Sequence, residues 1–216
     1  MKLLSNRWAA AISGLFLILF ANGAWATTIA VGTGPTANFN ANTMFDVTAT
    51  NAVTINGLTF QEVRTAGTFQ IYGRPSTFVG HDSSSAGWTL LGSGALTVGT
   101  NKAFPTPFSL TVPAGATYAL YVASSDGGFV YYKNSTNSVG SVEASDANLQ
   151  IKTGVGQDST LPLFSGTAFA QRVFSGGISY DLVTPVPTMN GWAMVLFGLL
   201  FASAIAIMVQ RQGAEA

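Results

Sequence analysis

From Thr27 to about Leu182, segments in which apolar residues fall at every second position recur along the chain, and no stretch of that region carries helical apolar spacing over ten residues. A period of two puts successive side chains on opposite faces of a strand, so a chain written this way folds as β-sheet. Phe45, Val47 and Ala49 alternate in one segment, and Phe69 and Ile71 in the next, with Gln70 and Tyr72 opposite. Phe108, Leu110 and Val112 alternate with Ser109 and Thr111. Pro113-Ala114-Gly115 then predicts a turn, and Tyr118, Leu120 and Val122 a returning strand. Asp126-Gly127-Gly128 is a hairpin signal ahead of Phe129-Val130-Tyr131-Tyr132. Val53 to Phe60, Trp88 to Leu91, Leu149 to Lys152 and Ile178 to Leu182 bring the count to about nine strands. Short strands separated by Gly, Pro, Asn and Ser turns predict an all-β fold, a single jelly-roll-like β-sandwich domain over 27–183.

The two ends follow different rules. Lys2 and Arg7 precede an apolar stretch from Trp8 to Ala21, broken only by Ser13 and Gly14, and Ala24-Trp25-Ala26 closes it with a small-x-small pattern. That layout predicts a signal peptide over 1–26, cut by signal peptidase between Ala26 and Thr27. At the other end, Trp192 to Val209 holds no charge in 18 residues. As a helix it would span roughly 27 Å, close to the thickness of the hydrocarbon core, which predicts a transmembrane helix over 192–209. Residues 184–191, with Pro185 and Pro187, are a stiff linker, and 210–216 a short cytoplasmic tail whose Arg211 fits the positive-inside tendency.

The linker reads Val186-Pro187-Thr188-Met189-Asn190-Gly191-Trp192. It resembles the I-P-T-L-x-x-W tail of bacterial exosortase substrates, the IPTL-CTERM sorting signal. Pro187, Thr188 and Trp192 match the family positions, Val186 and Met189 are conservative replacements, and one arginine stands where the family carries a basic cluster. The resemblance implies an exported protein held in the inner membrane by its C-terminal helix until an exosortase-type membrane protease cuts near Pro187-Thr188. It also implies a final place at the cell surface or in the extracellular matrix, near exopolysaccharide. Proline keeps that segment extended and denies it a helical amide, so the bond stays accessible beside the membrane. Phe45-Asp46-Val47-Thr48-Ala49, Gly57-Leu58, Trp88 to Gly92 and Val112-Pro113-Ala114-Gly115 are similar to small surface β-sandwich domains found ahead of such tails.

Composition removes most chemistry. Charged residues are 8% of the 216, nine bases against nine acids, where soluble domains carry about 25%. Arg64, Arg74, Lys102, Lys133, Lys152 and Arg172 are scattered, so no basic stripe exists for nucleic acid. There is no cysteine and one histidine, His81, which excludes thiolate nucleophiles and multi-histidine metal centres. G-x-S-x-G is absent, and His81-Asp82 lies before Ser83-Ser84-Ser85, a loop sequence. The acids Asp46, Glu62, Asp82, Asp126, Glu143, Asp146, Asp158 and Asp181 read as turn caps and surface charge. Glu143 to Asp146 and Asp126-Gly127 are loop oxygens of the kind calcium uses, but neither follows an EF-hand or repeat pattern, and no metal ligand or cofactor is assigned. The chain is therefore read as non-enzymatic, a structural or adhesive component. The alternative is a carbohydrate-binding module using Tyr72, Tyr121, Tyr131 and Tyr132 as stacking rings, with one of Tyr131 and Tyr132 exposed and its neighbour inside.

Overall fold

The computed structural model describes residues 26–33, 38–40, 42–158, 162–183 and 195–204. It divides into a unit over Met1–Val183 and a second over Thr184–Ala216. In the second unit the described residues 195–204 are helical. Among the described residues, no helix is long and apolar enough to cross a membrane; the rest of the predicted span over 192–209 lies outside them.

The first unit is built of strands. In chain order these are β1 (Thr27–Val31), β2 (Asn38–Asn40), β3 (Asn42–Ala49), β4 (Val53–Thr65), β5 (Gly67–Pro75), β6 (Thr89–Leu96), β7 (Gly99–Ala103) and β8 (Leu110–Val112). They continue as β9 (Thr117–Ser124), β10 (Phe129–Asn134), β11 (Val142–Ser145), β12 (Leu149–Lys152), β13 (Gly154–Gln157), β14 (Ala168–Phe174) and β15 (Gly176–Leu182). All fifteen join one antiparallel sheet whose main path is β1-β15-β4-β10-β14-β13-β3-β9-β5-β6. The nine predicted segments all overlap strands, but they fall six short of the fifteen among the described residues. The missed ones, such as β2 (NFN), β7 (GTNKA) and β13 (GVGQ), carry no alternating apolar pair to announce them.

Two long strands organise the sheet by changing partners along their length. One edge of β4 meets β15 over Val53 to Phe60 and then β10 at Val63 and Thr65. Its other edge meets β8 at Val53 to Ile55 and β7 from Thr59 to Val63. Strand β3 pairs with β9 on one side, and on the other with β13 near Met44 and β12 near Val47.

The predicted hairpin at Asp126-Gly127-Gly128 is a corner instead. Strand β9 pairs with β3 and β5, whereas β10 pairs with β2, β4 and β14. The turn is fastened to the β4–β5 corner, where Thr68 N donates to both carboxylate oxygens of Asp126 at 2.8 and 2.9 Å. Those bonds hold Asp126 below the usual carboxylate range. A Cβ on Gly67 would sit 2.6 Å from Asp126 Oδ1 and 2.8 Å from Gly128 Cα, so this close approach requires glycine. Pro113-Ala114-Gly115 does turn the chain: Ala116 N donates to Pro113 O at 3.0 Å, with Gly115 at φ 75°, a type II turn. It too joins unpaired strands, since β8 lies on β4 and β9 on β3.

The main core gathers side chains from strands far apart on the sheet path. Phe45 and Val47 of β3, Phe69 and Ile71 of β5, and Leu120 and Val122 of β9 meet Ile55 and Phe60 of β4 and Ile178 and Tyr180 of β15 in one cluster. Phe45 stacks on Phe174 at 5.4 Å between centroids, and Phe60 meets Phe174 edge-on at 5.7 Å. A second cluster lies on the opposite face of β3, β9 and β5, around Met44, Ala119, Tyr121 and Ala123. Strand β9 is thus buried on both faces, as its unbroken apolar run Ala119 to Ala123 requires.

Candidate functional site

The second cluster exists because two loops fold over it. Residues 76–88, between β5 and β6, bring Phe78 and Trp88; the segment between β13 and β14 brings Leu163 and Phe164. The Phe164 ring lies 4.7 Å from Tyr121, 5.4 Å from Tyr72 and 5.7 Å from Trp88. Arg74 lies over the Trp88 ring at 5.9 Å, within reach of a cation–π contact. Gln157 clasps both loops: its amide nitrogen, Nε2, donates to Asp82 O at 2.9 Å and Gly166 O at 3.1 Å, while Oε1 accepts from the Tyr121 hydroxyl at 2.8 Å. Burial pushes the Tyr121 phenol up, so it remains a donor.

Asp46 pins the foot of the 76–88 loop. Its Oδ2 accepts from Thr77 Oγ1 at 2.6 Å and its Oδ1 from Phe78 N at 3.0 Å. Desolvation raises its carboxyl above the usual range, against the opposing pull of these bonds and of the Lys152 and Arg74 charges. The folded state therefore binds this proton more tightly than the unfolded chain. The resulting stability is fully present below the unfolded value of about 3.9 and is lost as pH rises through the higher folded value. We expect Asp46→Asn, which cannot titrate, to remove that pH dependence in urea unfolding. Asp46→Ala strands the buried Phe78 N–H, with a cost of about 1–3 kcal/mol and faster hydrogen exchange at Phe78. Unchanged exchange there would mean that Asp46 does not hold the loop.

The four predicted stacking tyrosines do not form a platform. Tyr121 is fully buried and Tyr132 is 7% exposed, with Arg172 5.4 Å over its ring. Neither can offer a free ring face, because each packs in the protein interior. Tyr72 is half-buried and donates to Gln70 Oε1 at 2.7 Å. Tyr131, half-buried on the opposite side of β10 from Tyr132, accepts from Arg64 Nη1 at 3.2 Å. Trp88 is half-buried, and its indole N–H donates to His81 O at 3.0 Å. Of the sorting and processing residues, Val186, Pro187, Thr188, Met189, Trp192 and Ala24 lie outside the described residues. Ala26 is exposed and Thr27 opens β1.

Five of the acids act as acceptors in the framework. Besides Asp46 and Asp126, Glu143 Oε2 accepts from Ser135, Asn137 and Thr153. Asp181 accepts from Asn56 Nδ2 at 2.6 Å. Asp146 caps the β11–β12 turn through the amides of Asn148 and Leu149, at 2.8 and 2.9 Å. His81 is an exposed loop residue. Among the described residues, no group of three or more His, Asp or Glu side chains is placed to hold a metal ion.

No family model matches the chain, and no curated protein matches it. An open cleft of about 230 Å3 on β1, β15, β4 and β7 is lined by Thr28, Ala30, Thr59, Gln61, Asn101 and Gly177, among others. Its described lining presents hydroxyl, amide and small apolar groups. Sequence reasoning missed Gln157 and Asp46 as loop anchors. Both are ordinary polar residues in their segments, and the only local hint is that each sits among small or apolar neighbours.

Proposed function

We propose that the protein is an exported, non-enzymatic structural component of a bacterial cell surface or extracellular matrix, with its C-terminal tail cut by an exosortase-type membrane protease. The observation that carries this reading is the order of its ends. A basic-then-apolar leader closes on Ala24-Trp25-Ala26, and Val186-Pro187-Thr188-Met189 with Trp192 stands directly before an uncharged C-terminal run. The start of β1 at Thr27 agrees with cleavage there.

The domain between those ends is read as a β-sandwich. In support, inner-face residues of β3, β5 and β9 share one core with those of β1, β4 and β15, as two facing layers do. A structural role is supported by how the polar groups are spent, with Asp46, Asp126, Glu143, Asp146 and Asp181 all accepting framework hydrogen bonds.

Intact mass of the protein from surface and medium fractions tests this, with a host lacking the processing protease for comparison. A species that starts at Thr27 and ends near Pro187 only in the competent host is expected. Retention of every residue through Ala216 in both hosts would make the chain a plain single-pass membrane protein.

A further inference from the structure

We propose that cleavage before Thr27 does more than release the leader: the new α-ammonium docks beside Asp146 and ties β1 to the β11–β12 turn. This rests on the signal-peptide reading above. Hydrolysis breaks the Ala26–Thr27 C–N bond, water supplies hydroxyl to the Ala26 carbonyl and hydrogen to the Thr27 nitrogen, and that amine takes up a further proton from solvent. A neutral amide is thereby replaced by a positive charge at the first residue of β1.

The surroundings of that residue are already built. Thr27 pairs with Tyr180 in the β1–β15 register. Ile29 and Val31, on the same side of β1 as Thr27, are buried, so Thr27 stands at the rim of the main core. The Tyr180 hydroxyl donates to Asp146 Oδ2 at 2.6 Å and accepts from Asn148 Nδ2 at 3.2 Å. The Thr27 side chain also hydrogen-bonds Tyr180, giving a continuous line Thr27–Tyr180–Asp146. Thr27 N lies on the same residue as that hydroxyl, and the Thr27–Tyr180 and Tyr180–Asp146 contacts in series keep the ammonium within roughly 9 Å of the carboxylate. An ionised carboxylate accepts more than one donor per oxygen, so Asp146 can serve Tyr180 and still attract this charge. Asp146 Oδ1 also accepts from Asn148 N and Leu149 N, which leaves Oδ2 to the Tyr180 hydroxyl. Asp181, next to Tyr180 in sequence, lies on the other face of β15 and accepts from Asn56.

The test is the acylation rate of the Thr27 α-amine at pH 7 in the processed, folded protein, read from the mass of its N-terminal peptide. Across a span of that order in water, the attraction corresponds to roughly twofold protection of the amine. Asp146→Asn is therefore expected to speed acylation about twofold. Tyr180→Phe, which keeps the ring but removes the hydroxyl that links Thr27 to Asp146, is expected to speed it as well, and Asp181→Asn to leave it unchanged. Circular dichroism checks that each variant is folded; if Asp146→Asn is not, Tyr180→Phe decides. Equal rates in wild type and the folded variants overturn this inference alone. A protein whose mass retains residues before Thr27 overturns the signal-peptide reading and this inference with it.

Discussion

Gly176→Ala and Gly154→Ala are each expected to destabilise the protein by about 3 kcal/mol, the upper end of overpacking costs, and to lower Tm by roughly 6–12 °C for a chain of this size. Neither glycine is needed for a left-handed backbone; what matters is the space. A Cβ on Gly176 would run into Thr59 O of β4, and one on Gly154 into Met44 O of β3, both well inside van der Waals contact. In each case the obstacle is backbone of a paired neighbour, which cannot swing aside as a side chain tip does. Gly176 faces Phe60 across the β15–β4 ladder, and Gly154 sits at a register shift beside β14. Gly57→Ala is the contrast, because its nearest neighbour is the Ser179 side chain at 3.3 Å; its effect should stay near 0.5 kcal/mol, as for other surface substitutions. Thermal unfolding of the three variants decides, and a Gly176→Ala protein that melts with wild type would show that the β15–β4 pairing is wrong.

The second large effect belongs to Phe174. It is 1% exposed and stands between Phe45 and Phe60, stacked on one and edge-on to the other. Phe174→Ala removes both ring contacts and leaves a cavity in the main core, with an expected loss of about 3–5 kcal/mol. Phe169, five residues earlier on the same strand, is 38% exposed. Phe169→Ala is expected to cost about 0.5 kcal/mol or less. Urea unfolding of the pair measures the difference, and comparable losses at both positions would mean that β14 is not inserted into the core as described.

These two phenylalanines also show where sequence reading stops. Phe169 and Phe174 look alike along the chain, and β14 (AFAQRVF) has no clean alternation, because its first residues are exposed and only its end enters the core. Leu149 to Lys152 was legible because burial of one face writes itself into alternate positions, whereas Phe45 to Ala49 alternates apolar with polar residues although both faces of β3 are covered. The tyrosines were less legible. Alternation separates Tyr131 from Tyr132, but it carries no sign that Tyr121, on the outer face of β9, is covered by a loop bearing Phe164.

The turns make the same point. Asp126-Gly127-Gly128 specifies a bend, since Gly127 takes φ 88° and the aspartate caps nearby amides. Nothing in those three residues says whether the next strand pairs with the previous one or crosses to another part of the sheet. That choice depends on Thr68, Gly67 and the ladder of β4, tens of residues away.

By itself the sequence determined the β character of 27–183, most of its regular strands, the expected export signals at both ends, and the chemistry excluded by one histidine and no cysteine. Those are properties of short windows or of composition. Only the tertiary structure decided which strands pair, that β9 has two buried faces, and that Asp46 and Gln157 are buried anchors rather than surface polar groups. The physical reason is that each of these depends on the partner that long-range folding brings to a residue, and a hydrogen bond or a covered ring face leaves no mark on the residues beside it in the chain.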